Sequence, residues 1–495
     1  MNEQAAGAAA ELGSRAVSNS VVILAARTIS RVVALVVVII LANALGADSY
    51  GRYTTLIAYS ALVSVIADFG FNPLYTREAA RARQDLGRYL GTLLVLKVAL
   101  VGASVIVLGI ALQVGAGLTS LILPGAALMA ATGYATLLRN TFYAVGRAEF
   151  DAIAIVAEIA IQGGLIVLGA HRHSGVSFYI WAYTASYLFT VVYALVVIRM
   201  FRFGTIRLGF DLALIRRWLP WALPFGYTFF LTNLYFRADV PILQHFRPFS
   251  EVGWYTFAYK PFEALQFVPL AIQAVVYPLL GVYFVSDPQR LKLAYHRFFK
   301  VLVLLGWPLT VGTFVLVGPI IRVFNRSGGF AQSEPSLRIL AFGIVFLFAN
   351  SAFYAMLNAT NRQHLNAWAT GIASVLNIGL NLIFIPIYGY LGASATTAIT
   401  EAALCTFGWW FVQRRRSDLA LPVAGLSWRI LIAGAVMGVV LYPLRRYSIA
   451  IGLPAGGIVY LVAIYLLRAI EPDEWRLAWE GLTSRLRPSR EKSPA

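Results

Sequence analysis

Residues 18–45 form an apolar stretch that carries two arginines, Arg27 and Arg31, near its middle. The stretch is long enough to cross a bilayer, which takes about 20 apolar residues. Residues four apart lie on one face of a helix, and a cation at bilayer depth costs roughly 2.5–3.5 kcal/mol. We therefore expect this face to line a water-filled cavity. In the alternative, both arginines pair with carboxylates or carbonyls and only join helices.

The apolar character continues along the whole chain. Of its 495 residues, 59% are hydrophobic and 13% are charged, whereas soluble domains average about 25% charged residues. Apolar stretches of membrane-spanning length recur fourteen times, at 18–45, 53–71, 87–113, 118–144, 152–170, 176–198, 218–243, 252–283, 298–321, 336–358, 365–388, 391–412, 426–444 and 449–467. The pattern predicts an all-α polytopic membrane protein with about 14 transmembrane helices.

The basic residues are distributed unevenly between the two sides of these spans. The net charge is +18, and 25 lysines and arginines lie at the termini or in loops and span ends after even-numbered spans, against 7 after odd-numbered ones. Cytoplasmic loops carry this excess in membrane proteins. The asymmetry predicts that both termini are cytoplasmic, and it argues against nucleic acid as the partner of the basic residues.

Short motifs repeat six spans apart. Residues 51–54 (GRYT) correspond to 253–256 (GWYT), and 142–144 (FYA) correspond to 353–355 (FYA). Because six is an even number of spans, the two halves have the same orientation, and a substrate site is expected where they meet. The predicted divisions are a cytoplasmic segment 1–17, an N-lobe 18–198, a cytoplasmic linker 199–217, a C-lobe 218–412, two further helices in 413–470 and a basic cytoplasmic tail 471–495.

An ordered set of segments resembles polysaccharide flippases of the Wzx type. These segments are LANALGADSYGRY (41–53), ADFGFNPLYTREAAR (67–81), FYAVGR (142–147), LPFG to YFRADVPIL (223–243), VGWY (252–255) and NIGLNLIFIPIYGYLGA (377–393). The resemblance implies the MOP superfamily, which includes MATE exporters and the lipid II flippase MurJ. It also implies two six-helix lobes forming a V around a central cavity and an alternating-access mechanism. The implied function is flipping of undecaprenyl-pyrophosphate-linked oligosaccharide across the bacterial inner membrane for cell-surface polysaccharide biosynthesis.

A pyrophosphate needs cationic partners inside the membrane, because moving its charge into hydrocarbon is unfavourable. Arginine suits this role, since its guanidinium binds phosphate oxygens in a bidentate manner. The candidates for contact with pyrophosphate or sugar are Arg27, Arg31, Arg237, Arg52, Arg139 and Lys260. We expect Lys97, Arg338 and Arg429 to extend to the lipid headgroups instead.

Carboxylates within the spans are candidates for ion coupling. No G-x-x-x-x-G-K-[ST] motif is present, so ATP hydrolysis by this chain is not expected. A buried carboxylate can couple H⁺ or Na⁺ movement to conformational change, as in an antiporter. The candidates are Glu158, Asp239, Glu263 and Glu401, with Glu158 as the first choice. Alternatively, Glu158 pairs with an arginine for structure.

Other functions fit the residues less well. No cofactor beyond a coupling ion is expected, and no metal, because His171 and His173 lie in a short outer loop where histidines are usually solvated. A MATE-like drug exporter would favour carboxylates over arginines in its cavity. A membrane polysaccharide polymerase would require larger outer loops than these, so no enzymatic activity is predicted. The expected partners are the lipid-linked substrate, membrane lipids and the polymerase machinery.

Overall fold

A computed structural model describes the backbone of residues 2–415, 419, 421 and 423–470, and the side chains of 33–414, 419, 421 and 428–470. All regular structure in these residues is helical. The α-helices are α1 (Asn2–Asp68), α2 (Phe71–Arg81), α3 (Leu86–Ile110), α4 (Ile122–Ala144), α5 (Glu149–His171), α6 (Val176–Met200), α7 (Leu212–Arg237), α8 (Asp239–Phe246), α9 (Phe249–Leu265), α10 (Phe267–Ser286), α11 (Pro288–Val315), α12 (Val317–Phe324), α13 (Ser333–Ala359), α14 (Gln363–Tyr388), α15 (Tyr390–Arg415), α16 (Val423–Leu444) and α17 (Ile449–Leu466).

The predicted fold class is confirmed. The predicted stretches 18–45 and 53–71 both lie mainly on α1, and each of the other twelve coincides with one helix or with two consecutive helices. Ten helical segments of the described residues are long and apolar enough to cross a membrane. α7 and α15 are not among these ten, because both carry several polar or charged side chains within their length.

Glycines with positive φ separate the successive spans where the sequence predicts breaks. Gly46 has φ 72° and divides α1 into two parts. Gly389 has φ 58° and ends α14, so that α15 begins at Tyr390. Side chains with a Cβ rarely adopt such φ values. The two glycines therefore interrupt long apolar runs at these points.

The helices form two groups that meet along α1. In the first group α4 packs on α6, and α5 packs on both α1 and α6; in the second, α13 packs between α11 and α15. α16 and α17 pack on each other, and α16 also packs on α11. Between the groups, α1 lies along α9 and also contacts α7 and α8. The second part of α1 is therefore the main surface between the two halves.

Equivalent residues of the internal repeat contact each other across this surface. A Cβ at Gly51 would meet the backbone carbonyl of Phe249, and a Cβ at Gly253 would meet that of Ala47. The hydroxyls of Thr54 and Thr256 lie 3.3 Å apart. Gly253, Phe249 and Thr256 lie 202 residues after Gly51, Ala47 and Thr54, so each contact has its counterpart in the other half. A parallel repeat whose axis passes between the two threonines requires this symmetry. We call this contact the Gly51–Gly253 crossing.

A second close approach lies at the other end of the same helix segment. Gly70 has φ 83°, and a Cβ there would meet the carbonyl of Ala222 in α7. A Cβ at Gly226 would lie 3.0 Å from the carbonyl oxygen of Phe69. We call this contact the Gly70–Gly226 crossing. The segment of α1 between Gly46 and Asp68 is thus held against the second group at both ends.

The connection between the two groups is shorter than predicted and is fixed to α3. Helix α6 continues to Met200 and α7 begins at Leu212, so the non-helical part spans 201–211 rather than 199–217. Asp211 accepts a hydrogen bond of 2.9 Å from the backbone N–H of Leu214, and its carboxylate pairs with Arg88 of α3. These contacts hold the pKa of Asp211 below its ordinary value of 3.8.

We expect Asp211→Asn to lower the thermal unfolding midpoint at pH 7. Asparagine still caps a helix. The difference in unfolding midpoint between wild type and variant therefore reports the carboxylate charge that pairs with Arg88. A carboxyl whose pKa is lowered on folding stabilises the folded state above its ordinary pKa, and this contribution is lost as pH falls through the lowered value. The difference in midpoint between wild type and variant should therefore shrink below about pH 3.8. A difference independent of pH would contradict this.

Candidate functional site

A cavity of about 450 Å³ lies between the two crossings. α1, α2, α3, α4 and α6 form most of its wall, and Phe225 and Phe229 of α7 close it from the second group. Ligand cavities in proteins have volumes of roughly 300–1,000 Å³. The cavity therefore has the size and the position, between the two halves, that are expected of a substrate site.

Lys97 of α3 is the basic side chain among the residues that line this cavity. It is 5% exposed, and it forms no hydrogen bond or ion pair with any residue whose side chain the structure describes. Gly133 of α4 faces it, since a Cβ there would lie 3.4 Å from the Lys97 Cε. The expectation that Lys97 extends to the headgroups is wrong for this structure, because the side chain points into the protein interior.

Polar groups from the junction of α1 and α2 lie on the same wall. Asp68, at the end of α1, accepts a hydrogen bond of 3.3 Å from the backbone N–H of Asn72, and its charge lies near that of Lys97. The Asn72 Oδ1 and the Ser60 Oγ are buried and have no hydrogen-bond partner among the described residues. The wall thus combines one cation, one carboxylate and two polar groups without partners.

Arg139, a predicted substrate contact, is instead held by carboxylates between α4 and α5. Its Nε lies 2.5 Å from an oxygen of Asp151, and a terminal nitrogen lies 3.3 Å from Glu158. The Tyr143 hydroxyl donates to Asp151, and the Thr190 hydroxyl donates to Glu158 over 3.1 Å. This cluster does not line the cavity, and it matches the structural alternative considered for Glu158.

Two tyrosines lie near Glu158. Tyr187 lies close to the Glu158 carboxylate, and Tyr183 lies close to Tyr187. Tyr183 itself lines the cavity. Polar side chains therefore lie between the cavity wall and this buried carboxylate.

The other predicted basic contacts are also paired. Glu263 lies 2.8 Å from the Lys260 ammonium and 3.7 Å from the Arg237 guanidinium. Arg52 pairs with Asp48 over 2.9 Å at an exposed position and stacks on Phe249. The side chains of Arg27 and Arg31 lie outside the described residues.

Asp239 and Glu401 are buried in the second group and accept hydrogen bonds from tyrosines. The Tyr255 hydroxyl and the Val240 backbone N–H donate to Asp239. The Tyr235 hydroxyl donates to Glu401 over 3.0 Å. As the spacing predicts, Asp239 contacts a partner other than Arg237. No group of three or more metal-ligating side chains occurs among the described residues.

Sequence reasoning missed that Lys97 lines the cavity, although the sequence contains a signal for its position. Lys97 lies ten residues inside the predicted span 87–113, which is about 15 Å along a helix. A lysine at that depth is too far from the start of the span to be treated as an end residue, and a basic residue at mid-depth is a candidate functional residue.

Two family models match the chain. The model of the polysaccharide biosynthesis protein family matches residues 16–284, and the MatE model matches residues 224–383. The uncharacterized membrane protein MJ1068 of Methanocaldococcus jannaschii is 24% identical over 152 residues. That alignment covers 30% of this chain and 30% of the relative.

Solved structures share the fold at low sequence identity. The lipid II flippase MurJ in an inward closed conformation superposes with a TM-score of 0.76 at 16% identity, covering 90% of this chain and 99% of that chain. An inward-facing multidrug resistance MATE family transporter of the MOP superfamily gives a TM-score of 0.63 at 16% identity, covering 79% and 95% of the two chains. The chain therefore has the fold of MOP superfamily transporters.

Proposed function

Because this chain belongs to the polysaccharide biosynthesis protein family, we propose that it is a flippase that moves a lipid-linked oligosaccharide across a bacterial inner membrane. The observation that carries the proposal is the cavity of about 450 Å³ between the two halves, with a buried cation on one wall and aromatic side chains on the other. A lipid-linked sugar diphosphate presents both kinds of surface, since its diphosphate is anionic and its prenyl chain is apolar.

The physical problem for such a substrate is the charge of its diphosphate. Transfer of an isolated charge into hydrocarbon is strongly unfavourable, whereas a polar cavity replaces water by fixed partners. Lys97 supplies a positive charge there, and Arg27, Arg31 and Arg237 complete the proposed set of cations. Alternating release of the Gly51–Gly253 and Gly70–Gly226 crossings would open the cavity to one membrane face at a time, with both chain termini cytoplasmic.

The proposal is tested with purified protein in liposomes that carry fluorescent lipid-linked sugars in one leaflet. We expect the protein to expose polyprenyl-diphosphate-linked sugars to a membrane-impermeant quencher faster than protein-free liposomes do. A panel with different glycans identifies the substrate. Equal rates with and without the protein, for every lipid-linked sugar in the panel, would contradict the proposal.

We propose that transport is coupled to H⁺ or Na⁺ through Glu158, a buried carboxylate near Tyr183 of the cavity wall. Glu158→Gln keeps the hydrogen-bonding groups near Arg139 and Thr190 but removes the titratable charge. The variant is expected to transport at a rate that no longer depends on the applied ion gradient. Measurement in liposomes with imposed proton or sodium gradients checks this, and an unchanged gradient dependence would eliminate Glu158 as the coupling residue.

A second candidate function is export of small molecules, because the MatE model matches residues 224–383. A cationic drug would meet the unpartnered Lys97 in the cavity, and like charges repel at close range. The two functions are separated by comparing efflux of a cationic dye with flipping of a lipid-linked sugar in the same liposomes. Dye efflux without flipping would favour the exporter.

A further inference from the structure

The loop between α12 and α13, residues 325–332, is bound at its start to the part of α1 that precedes Gly46. The Asn43 Nδ2 donates to the Phe324 carbonyl over 2.7 Å, and the Asn43 Oδ1 accepts a hydrogen bond of 2.8 Å from the Ser327 backbone N–H. These bonds join residues 281 and 284 positions apart in the sequence. The same amide also donates to the Ile39 carbonyl within α1. One side chain of α1 therefore holds the backbone of a loop from the second group.

The middle of the 325–332 loop places an aromatic ring between the two helices of the Gly51–Gly253 crossing. Phe330 is 0% exposed. Its ring stacks on that of Phe257 in α9, with the centroids 4.1 Å apart. The ring of Tyr50 in α1 lies edge-on to Phe330 at 5.8 Å. Phe330 thus contacts both helices within a few residues of the two crossing glycines.

The far end of the loop is bound to α9 and α13, which belong to the second group. The Trp254 Nε1 donates to the Gly329 carbonyl over 3.0 Å, and the Ser333 hydroxyl donates to the Trp254 carbonyl over 2.9 Å. Separation of the two halves leaves these contacts in place, because all their partners move together. The contacts with Asn43 and Tyr50 join the loop to α1, so the same separation breaks them.

The internal repeat does not account for the contact with Asn43. At the offset of 202 residues, Asn43 corresponds to His245. His245 is exposed, and its ring lies edge-on to that of Phe246 at 4.9 Å. The crossing itself is symmetric, whereas this contact belongs to one half. Such a contact at the junction indicates a role in the relative motion of the halves rather than in the fold of each.

We propose that the 325–332 loop holds the Gly51–Gly253 crossing closed, through the amide of Asn43 and the ring of Phe330. The proposal rests on the alternating opening that the flippase function requires. When the halves separate at this end, Asn43 loses the Phe324 carbonyl and the Ser327 N–H, and Phe330 leaves Tyr50 while staying on Phe257. The loop therefore favours the state in which this end of the cavity is closed.

The size of the effect follows from the contacts that opening breaks. Loss of one hydrogen bond changes an equilibrium constant about 2- to 10-fold, and loss of one aromatic edge contact has a similar effect. Asn43→Ala and Phe330→Leu are therefore each expected to raise the open population about 2- to 10-fold. Leucine at 330 keeps most of the apolar volume on Phe257, so this variant chiefly removes the edge contact with Tyr50.

Opening is measured as the rate at which a charged, water-soluble maleimide modifies Thr256→Cys in lipid nanodiscs. Cys405, the native cysteine, is alanine in this background. Thr256 is 7% exposed and lies at the crossing, 3.3 Å from the Thr54 hydroxyl. When opening is fast relative to modification, the rate is proportional to the open population. We expect Asn43→Ala and Phe330→Leu each to raise this rate about 2- to 10-fold.

Two controls separate opening of the crossing from other effects. His245→Ala changes the residue that the repeat makes equivalent to Asn43, and it should leave the rate at Thr256→Cys unchanged. Thr310→Cys places the reporter in α11, at a position that is 3% exposed, and Asn43→Ala should not change its modification. An equal rise at Thr256→Cys and Thr310→Cys would show general unfolding and would overturn the proposal.

The result for the loop does not depend on the flipping assay, because no substrate is present. If Asn43→Ala and Phe330→Leu both leave the rate at Thr256→Cys unchanged, the loop does not hold the crossing and the proposal is wrong, even where lipid-linked sugar is flipped. A rise confined to Thr256→Cys supports the proposal even where no sugar is flipped, and then the flippase function alone fails. A rise with one variant only assigns the effect to that side chain and removes the other.

Discussion

A single methyl group at Gly51 or Gly253 is expected to reduce transport sharply. Its carbon would overlap a backbone carbonyl of the opposite group, at Phe249 or Ala47, and backbone moves less readily than a flexible side chain. Overpacking costs about 1–3 kcal/mol, which shifts an equilibrium roughly 5- to 150-fold. Gly51→Ala and Gly253→Ala should therefore depopulate the state in which the Gly51–Gly253 crossing is closed, and slow the transport cycle by a comparable factor.

The closed state can be measured directly by cross-linking. Thr54→Cys with Thr256→Cys places two thiols on opposite sides of the crossing, where the hydroxyls are 3.3 Å apart. Cys405 is the one native cysteine and is replaced by alanine in this background. We expect the two introduced cysteines to form a disulfide efficiently in this variant, and much less efficiently when Gly51→Ala is added.

Gly102→Ala on α3 is the matched control for the crossing, since a Cβ there would have no heavy atom within 4 Å. Glycine within a helix is less favourable than alanine by roughly 0.5–1 kcal/mol, so this control should be neutral or slightly stabilising. If Gly51→Ala cross-links and transports as well as wild type does, close approach of the two helices is not needed for transport.

Removal of the Arg139 guanidinium is expected to cause a large loss of stability. Asp151 and Glu158 are both buried and both within 3.3 Å of Arg139. Breaking a buried ion pair by removing one partner costs about 3–5 kcal/mol, because an uncompensated charge remains. Arg139→Leu should therefore strongly lower the thermal unfolding midpoint of the protein in detergent. Tryptophan fluorescence measures this midpoint.

Two comparisons identify the cause of that loss. Arg139→Leu combined with Asp151→Asn and Glu158→Gln removes the stranded charges and should recover much of the stability. Arg290→Ala breaks an exposed pair with Asp287, and exposed pairs contribute about 0–1 kcal/mol. A loss of stability in Arg139→Leu that is no larger than in Arg290→Ala would show that the cluster is not a buried ionic network.

These ion pairs change the picture of a cavity lined by many arginines. Arg139, Arg237 and Lys260 were all predicted to contact the substrate, but each lies within ion-pair distance of a carboxylate. Among the residues that line the cavity, the positive charge is that of Lys97. Among the described side chains the substrate would thus meet one cation on the cavity wall, and Arg139, Arg237 and Lys260 become available only if their carboxylate partners move.

The sequence by itself determined the fold class, the helix breaks and the repeat. Apolar stretches of about 20 residues fix the helices because backbone groups in hydrocarbon must bond within their own segment. Gly389 fixes a break because its φ of 58° disfavours a Cβ. The offset of 202 residues predicted which residues are equivalent, and Thr54 and Thr256 meet in the structure.

Only the tertiary structure decided which charged residues are paired and which face the cavity. Arg139 and Lys97 both lie within apolar stretches, and although Lys97 lies deeper in its span, neither local sequence shows whether the charge has a carboxylate partner. Their difference depends on distant side chains, since Asp151 comes from α5 whereas the space beside Lys97 is left by Gly133 of α4. Pairing of charges is set by which helices pack together and by their rotation about their axes, and neither is encoded in the length or hydropathy of a single span.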